Sequence, residues 1–182
     1  QAEAFELGQW LLATMSECPT YVCMAPGAAV PVSSQSHVQA AQFEGPHPAG
    51  LAGTHVHFLQ GVSLSKLAWT IDYQDVIAIG RLFLDGQTYR DRLISVSGPA
   101  IDTPQVVRTC RGVDIEELVA GSQAAGENRL ISGSVLGGRR VNAHSAYLGR
   151  FHNQVAVLAE GRDRVFMGWL TPGAEKHSAM GI

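Results

Sequence analysis

The hydrophobic pattern of this chain changes period once, near Gln87–Asp91, and that change limits the possible folds more than any single motif. Before it, apolar residues recur mainly at helical spacing. After it, they come in short runs cut by glycine, proline and charged turns. A chain of 182 residues with one such switch near its middle expects two small domains, each with a modest core. The expected division is residues 1–88 and residues 89–182.

The first half reads as a fragment of an α/β layer. From Ala2 to Met15 the spacing of Leu7, Trp10, Leu11, Thr14 and Met15 predicts an amphipathic helix, widened by Phe5 and Leu12 and stopped by Pro19. "TYVCMA", Thr20 to Ala25, predicts a short buried strand closed by Pro26-Gly27. A second short strand is expected near Val38, and a third at "LAWTI", Leu67 to Ile71. Asp72 then fits a helix N-cap, with Asp75 in the first turn. Val76, Ile79, Leu82 and Phe83 continue at helical spacing to Gly86, a helix-ending residue. Trp10, Trp69 and Trp169 sit in apolar periodic runs and are expected in a core.

The second half predicts strands at "RLISVSGPAI", "PQVVRTC", "NRLISGSVL", "QVAVLAE" and "RVFMGWL", with one short helix, "DIEELVAG", capped by Asp114. Strands, one helix, then more strands suggest a compact α+β module such as a β-grasp.

Charge narrows the functional classes. Only 16% of residues are charged, where about 25% is usual, so part of the surface is expected to meet a partner. The formal net charge is −3 and no basic block exceeds pairs such as Arg139-Arg140, which speaks against nucleic acid. No apolar run is long enough to span a bilayer. Cys18, Cys23 and Cys110 form no CxxC and leave one thiol over, which favours a reducing compartment, with Cys18 and Cys23 as buried free thiols. The chain opens at Gln1 directly in a helical pattern, as expected of a processed product or an excised piece.

The densest chemistry lies in "FEGPHPAGLAGTHVHFL", Phe43 to Leu59, with three histidines among glycines and prolines. Three readings stay open on the residues alone. If "THVHF" is a strand, His55 and His57 share a face and could hold a metal, as in a stand-alone metal-dependent enzyme, with His47 or a distant carboxylate completing the set. Alternatively the imidazoles bond backbone in a proline-bent connection, or they form a surface for a ligand or a protein partner. Nothing else suggests catalysis: there is no GxSxG elbow, GxGxxG or GxxxxGK[ST]. The helix start at Asp72–Asp75 carries two carboxylates, which would repel a phosphate there.

Taken in order, "YVCMAPGAAVP", "FEGPHPAGLAGTHVHFL", "WTIDYQDVIAIGRLFLDG", "RLISVSGPAI", "ENRLISGSVL" and "EGRDRVFMGWLTPG" resemble the NqrA family, the A subunits of bacterial Na+-translocating NADH:quinone reductases, from about Thr20 to Pro172. More distantly the pattern is similar to the C subunits of Rnf complexes and to the flavin-bearing subunit of respiratory complex I. The resemblance implies a partial Rossmann-like α/β layer followed by a β-grasp module of the SLBB type. It implies the middle part of a peripheral subunit on the cytoplasmic face of the bacterial inner membrane, whose partners are the other subunits of a six-subunit sodium pump and ubiquinone. NADH, flavin, iron–sulfur and quinone chemistry would reside in other subunits, with no cofactor and no catalytic residue or metal here. Where the flavin-bearing relative has asparagines on the flavin phosphate, this chain reads Asp72-Tyr73-Gln74-Asp75, implying a lost flavin-phosphate position. The stretch around Phe43, Gly45, Pro46, His47, His55, His57 and Phe58 would then face a quinone head group or a neighbouring subunit, with the imidazoles as donors and the phenyl rings as wall.

Overall fold

A computed structural model describes residues 1–162 and 164–170. Its contacts separate into two compact units, Gln1–Asp91 and the residues from Arg92 onward.

The first unit is built on three helices and a small parallel sheet. Helix α1 spans Ala2–Ser16 and ends at Glu17, which turns left-handed (φ 53°) while its N–H bonds the Ala13 carbonyl. Strand β1 (Thr20–Met24) pairs in parallel with β2 (Val38–Gln42), Thr20 opposite Val38 and Met24 opposite Gln42. Helix α2 spans Ala52–Gln60 and helix α3 spans Tyr73–Asp85. Ala13 packs with Val22 and Val38 to join α1 to the sheet. Buried Gln9 ties the loop between the strands to the same helix. Its amide donates to the Pro31 carbonyl at 2.9 Å and accepts from the Ser33 N–H at 2.9 Å, so both ends of the polar group are satisfied.

The principal helix contact is α1 against α3, and it differs from the predicted stripe. Small residues, not Leu7, Trp10 and Met15, are buried: Ala4, Gly8 and Ala13 on α1, with Val76 and Gly80 on α3. The reason is distance. A Cβ added to Gly80 would overlap the Ala4 carbonyl, and one added to Gly8 would overlap the Val76 carbonyl. Two backbones this close leave no room for the larger side chains, which turn outward. Helix α3 keeps its predicted ends. The Asp72 carboxylate accepts from the Gln74 N–H at 2.8 Å, and Gly86 closes the helix at φ 67°.

Two predicted strands are absent. Leu67–Ile71 has no regular structure and pairs with no strand, and the Arg164–Leu170 run holds turns at Phe166–Leu170 in place of a strand. The tryptophans go with them: Trp10, Trp69 and Trp169 are all exposed, Trp69 at 90%. The cysteines are free thiols; Cys18 is exposed rather than buried, while burial pushes the Cys23 thiol up.

The second unit holds a five-stranded sheet of β3 (Asp91–Ser97), β4 (Gln105–Cys110), β5 (Asn128–Ser132), β6 (Arg139–Arg140) and β7 (Gln154–Ala159). Its order is β4-β3-β7-β5-β6, with β3 and β7 parallel at the centre and β5 antiparallel to β7. First and last strands side by side, with one helix between the second and third, make a β-grasp. That helix, α4 (Ile115–Val119), is capped by Asp114, whose carboxylate accepts from Glu116 and Glu117 N–H groups. The core follows from alternation on β3: Ile94 and Val96 point inward to meet Ile115 and Val119 of α4 and Val155 and Val157 of β7. At the far end of the sheet Glu160 accepts from Arg129, which holds its carboxyl below the usual range.

A polar knot closes the corner between β5 and β7. Ser132, fully buried, accepts from the Gly149 N–H at 2.9 Å and lies 2.8 Å from His152 Nδ1. The Ser132 hydroxyl thus joins the Gly149 backbone and the His152 ring in one hydrogen-bonded cluster. Burial, and then the charge of Arg139, hold the His152 imidazole below its ordinary value. The folded state therefore binds fewer protons than the unfolded one. This group's contribution to stability is complete above about pH 6.5, the value for a free imidazole, and is lost as pH falls through the lower folded value. An NMR titration of His152 should show a midpoint below 6.5. Arg139→Gln should move it upward without restoring the free value, because burial remains. An unshifted midpoint in both proteins would refute this account.

Candidate functional site

The histidine-rich stretch folds as a bend followed by a helix. Phe43 extends β2, its N–H donating to the Met24 carbonyl at 3.0 Å. Gly45 (φ 144°) and the cis His47-Pro48 peptide then reverse the chain. Pro46 and Pro48 carbonyls accept from the Ala49 and Leu51 N–H groups, both at 2.9 Å, and Thr54 Oγ1 donates to the Pro48 carbonyl at 3.0 Å.

Residues Thr54–Phe58 are helical, in α2, and not the strand expected from alternation. A run of alternating His and hydrophobic residues this short fits either period, and the glycine-flanked bend supplies the turn that starts a helix. The consequence is chemical. In a helix, residues i and i+2 lie about 200° apart, so His55 and His57 point to different sides and form no metal pair. His55 turns inward: its ring N–H donates from Nε2 to the Ala49 carbonyl at 2.9 Å, and the imidazole stacks against Phe43 at 4.3 Å. His57 points outward beside Phe58, edge to face at 5.1 Å. Among the described residues no group of three or more His, Cys, Asp or Glu could hold a metal ion.

An open cleft of about 510 Å³ lies along this bend. Gly45, Pro46, Pro48, Ala49 and Phe58 give it an apolar wall, and Glu44, Thr54 and His57 supply the polar groups. Of the sequence candidates, Gly45, Pro46, His57 and Phe58 line it. Phe43 and His55 instead brace the bend, and His47, though exposed, is not among the lining residues. Glu44, Pro48, Gly53 and Thr54 escape a strand reading of the sequence. A helical reading finds part of this set, since Gly53, Thr54, His57 and Phe58 are i, i+1, i+4 and i+5 on one face.

The start of α3 is the second candidate position. Its first N–H groups are already used: Gln74 N–H by the Asp72 side chain, and Asp75 and Val76 N–H groups by the Asp72 carbonyl at 2.9 and 3.1 Å. Gln74 and Asp75 are buried, and Tyr73 is exposed. A phosphate would meet two carboxylates here and find few donors.

Comparison with known proteins agrees with both units. Residues 1–88 match the family model described as the NqrA second alpha/beta domain, and residues 93–143 match the NQRA C-terminal domain, of SLBB type. Among similar sequences, the A subunit of the Na(+)-translocating NADH-quinone reductase of Saccharophagus degradans is 53% identical over all 182 residues, which cover 41% of that relative. The Vibrio campbellii protein of the same name is 51% identical over 178 residues, 98% of this chain and 40% of the relative. The chain thus spans about two fifths of the curated relatives it matches. Matched in both units and at about half identity along its whole length, this chain belongs to the NqrA family, that of the A subunits of Na(+)-translocating NADH-quinone reductases.

Proposed function

We propose that this chain works as a docking part of an NqrA polypeptide on the cytoplasmic face of the bacterial inner membrane, meeting the pump's other subunits and offering the Glu44–Phe58 cleft to a quinone head group. The observation that carries this reading is the cleft itself: an apolar wall from Gly45, Pro46, Pro48, Ala49 and Phe58, with the exposed His57 imidazole beside it as a donor for a carbonyl oxygen. The names of the relatives support the quinone side of the reaction. Among the described residues no helix is long and apolar enough to cross a membrane, which suits a peripheral part. The chain carries no flavin in this reading, because the α3 N-terminus spends its N–H groups on Asp72 and places carboxylates where a phosphate would lie. Electron transfer then belongs to other subunits, and these residues bind and orient.

Binding of a quinone analogue to the complete NqrA polypeptide, followed by calorimetry, tests the reading. His57→Ala and Phe58→Ala should each weaken binding about tenfold, roughly 1.4 kcal/mol, and His57→Ala should leave the thermal midpoint unchanged. His47→Ala should leave affinity unaltered. His55→Ala should lower the midpoint, since it removes the brace on Ala49. Equal affinity in wild type, His57→Ala and Phe58→Ala would overturn it.

A further inference from the structure

Between Glu44 and Asp72 the chain has no carboxylate and one cation, Lys66. The segment following α2 is also the most apolar exposed stretch of the first unit. Val62, Leu64, Leu67 and Trp69 are all strongly exposed, Leu64 completely, and Phe58 at the end of α2 is 73% exposed. Single exposed apolar residues need no explanation, but five large ones within twelve positions do. Leu67 and Trp69 lie in a stretch whose sequence reads as a strand, and no described residue of this chain buries any of the five.

The loop is nonetheless shaped. The Gly61 N–H donates to the His57 carbonyl, the Lys66 N–H donates to the Ser63 carbonyl, and the Ser63 and Ser65 hydroxyls bond each other at 3.1 Å. Lys66 folds its ammonium back onto the Gln60 carbonyl at the carboxyl end of α2. That leaves the outward surface almost without charge. An anionic bilayer is poorly matched, because lipid-surface attraction needs a cluster of cations and this one is engaged. A charge-free apolar centre is instead the mark of a permanently covered interface.

The relatives supply the cover. About three fifths of their polypeptide lies outside the part matched by this chain. We infer that the Val62–Ile71 stretch, with Phe58, is seated against that remaining part of the NqrA polypeptide, so that the surface is buried within one folded chain before it joins the pump. Phe58 belongs to this surface and to the cleft wall, so the same covering segment borders the cleft. The inference stands whichever ligand the cleft takes.

Cysteine accessibility in the complete polypeptide tests it. Leu64→Cys and Trp69→Cys should react with a maleimide at least ~10-fold more slowly than Glu116→Cys on the exposed side of α4, in the isolated protein and independently of concentration. Hydrogen exchange of residues 61–71 in the unmodified protein should be slow in parallel, which covers any failure of the variants to fold. Reaction as fast as at Glu116→Cys overturns the inference. So does protection found only in the assembled pump, which assigns the face to another subunit, or only at high concentration, which assigns it to a second copy. Protection gained only on adding lipid vesicles assigns it to the membrane and equally overturns it.

Discussion

Gly80→Ala destabilises the first unit by about 2 kcal/mol, and Gly80→Val by more than about 4, enough to unfold a marginal domain. The sign is the informative part. In an open helix, glycine to alanine stabilises by up to about 1 kcal/mol, because alanine loses less backbone entropy. Gly80 lies in the middle of α3, where that gain should be greatest. Against it stands the Ala4 backbone, which occupies the place of the new methyl group. Backbone cannot rotate aside as a side chain can, so α1 and α3 must separate, and contacts along Ala4, Gly8 and Val76 loosen together. Gly53→Ala in α2 is the matched control. Nothing lies within 4 Å of its added Cβ, and stability should stay level or rise. Chemical denaturation of the three variants gives the comparison. A stabilising Gly80→Ala would mean that the two helices are not in contact at that point.

The same contact marks the limit of what the sequence discloses. Caps are legible because their chemistry is local: Asp72 and Asp114 each bond N–H groups two or three residues away, and Gly86 takes the left-handed turn its position suggests. The β-grasp strands are legible because alternation along Asp91–Ser97 reports one buried face. What buries a helix is not local. Periodicity favours Leu7, Trp10 and Leu11 on α1, yet a small-residue stripe wins where two backbones come close, and only the partner helix shows that.

The candidate site divides along the same line. The bend is legible from Gly45, Pro46 and Pro48, and Gly45 and Pro46 are legible as lining. The period of His55-Val56-His57 is not, because three residues cannot separate a strand from a helix, and the metal pair rests wholly on that choice. Leu67–Ile71 reads as a buried strand and is solvent-facing in this chain, because no strand among the described residues pairs with it. β6, two residues long, gives no pattern to read.

Ser132→Ala lowers the stability of the second unit by about 2 to 3 kcal/mol, although it removes a single oxygen. A hydrogen bond exchanged for water contributes only about 1 kcal/mol, but a buried group left without a partner costs about 1 to 3. Ser132 serves two such groups at once, the Gly149 N–H and His152 Nδ1, and it is wholly buried at the end of β5 beside the central strand. Ser134→Ala is the control, since Ser134 Oγ also accepts a backbone N–H, that of Gly137 at 3.0 Å, but in an exposed turn where water replaces it. Its cost should stay below about 1 kcal/mol. The difference between the two serines, measured by denaturant unfolding, isolates burial from hydrogen bonding. The imidazole reports the same event independently: with Ser132 gone, Nδ1 loses its hydrogen-bond partner, and the ring nitrogen chemical shifts move. Equal costs at the two serines, with unchanged nitrogen shifts, would show that the Ser132–His152–Gly149 knot holds nothing together.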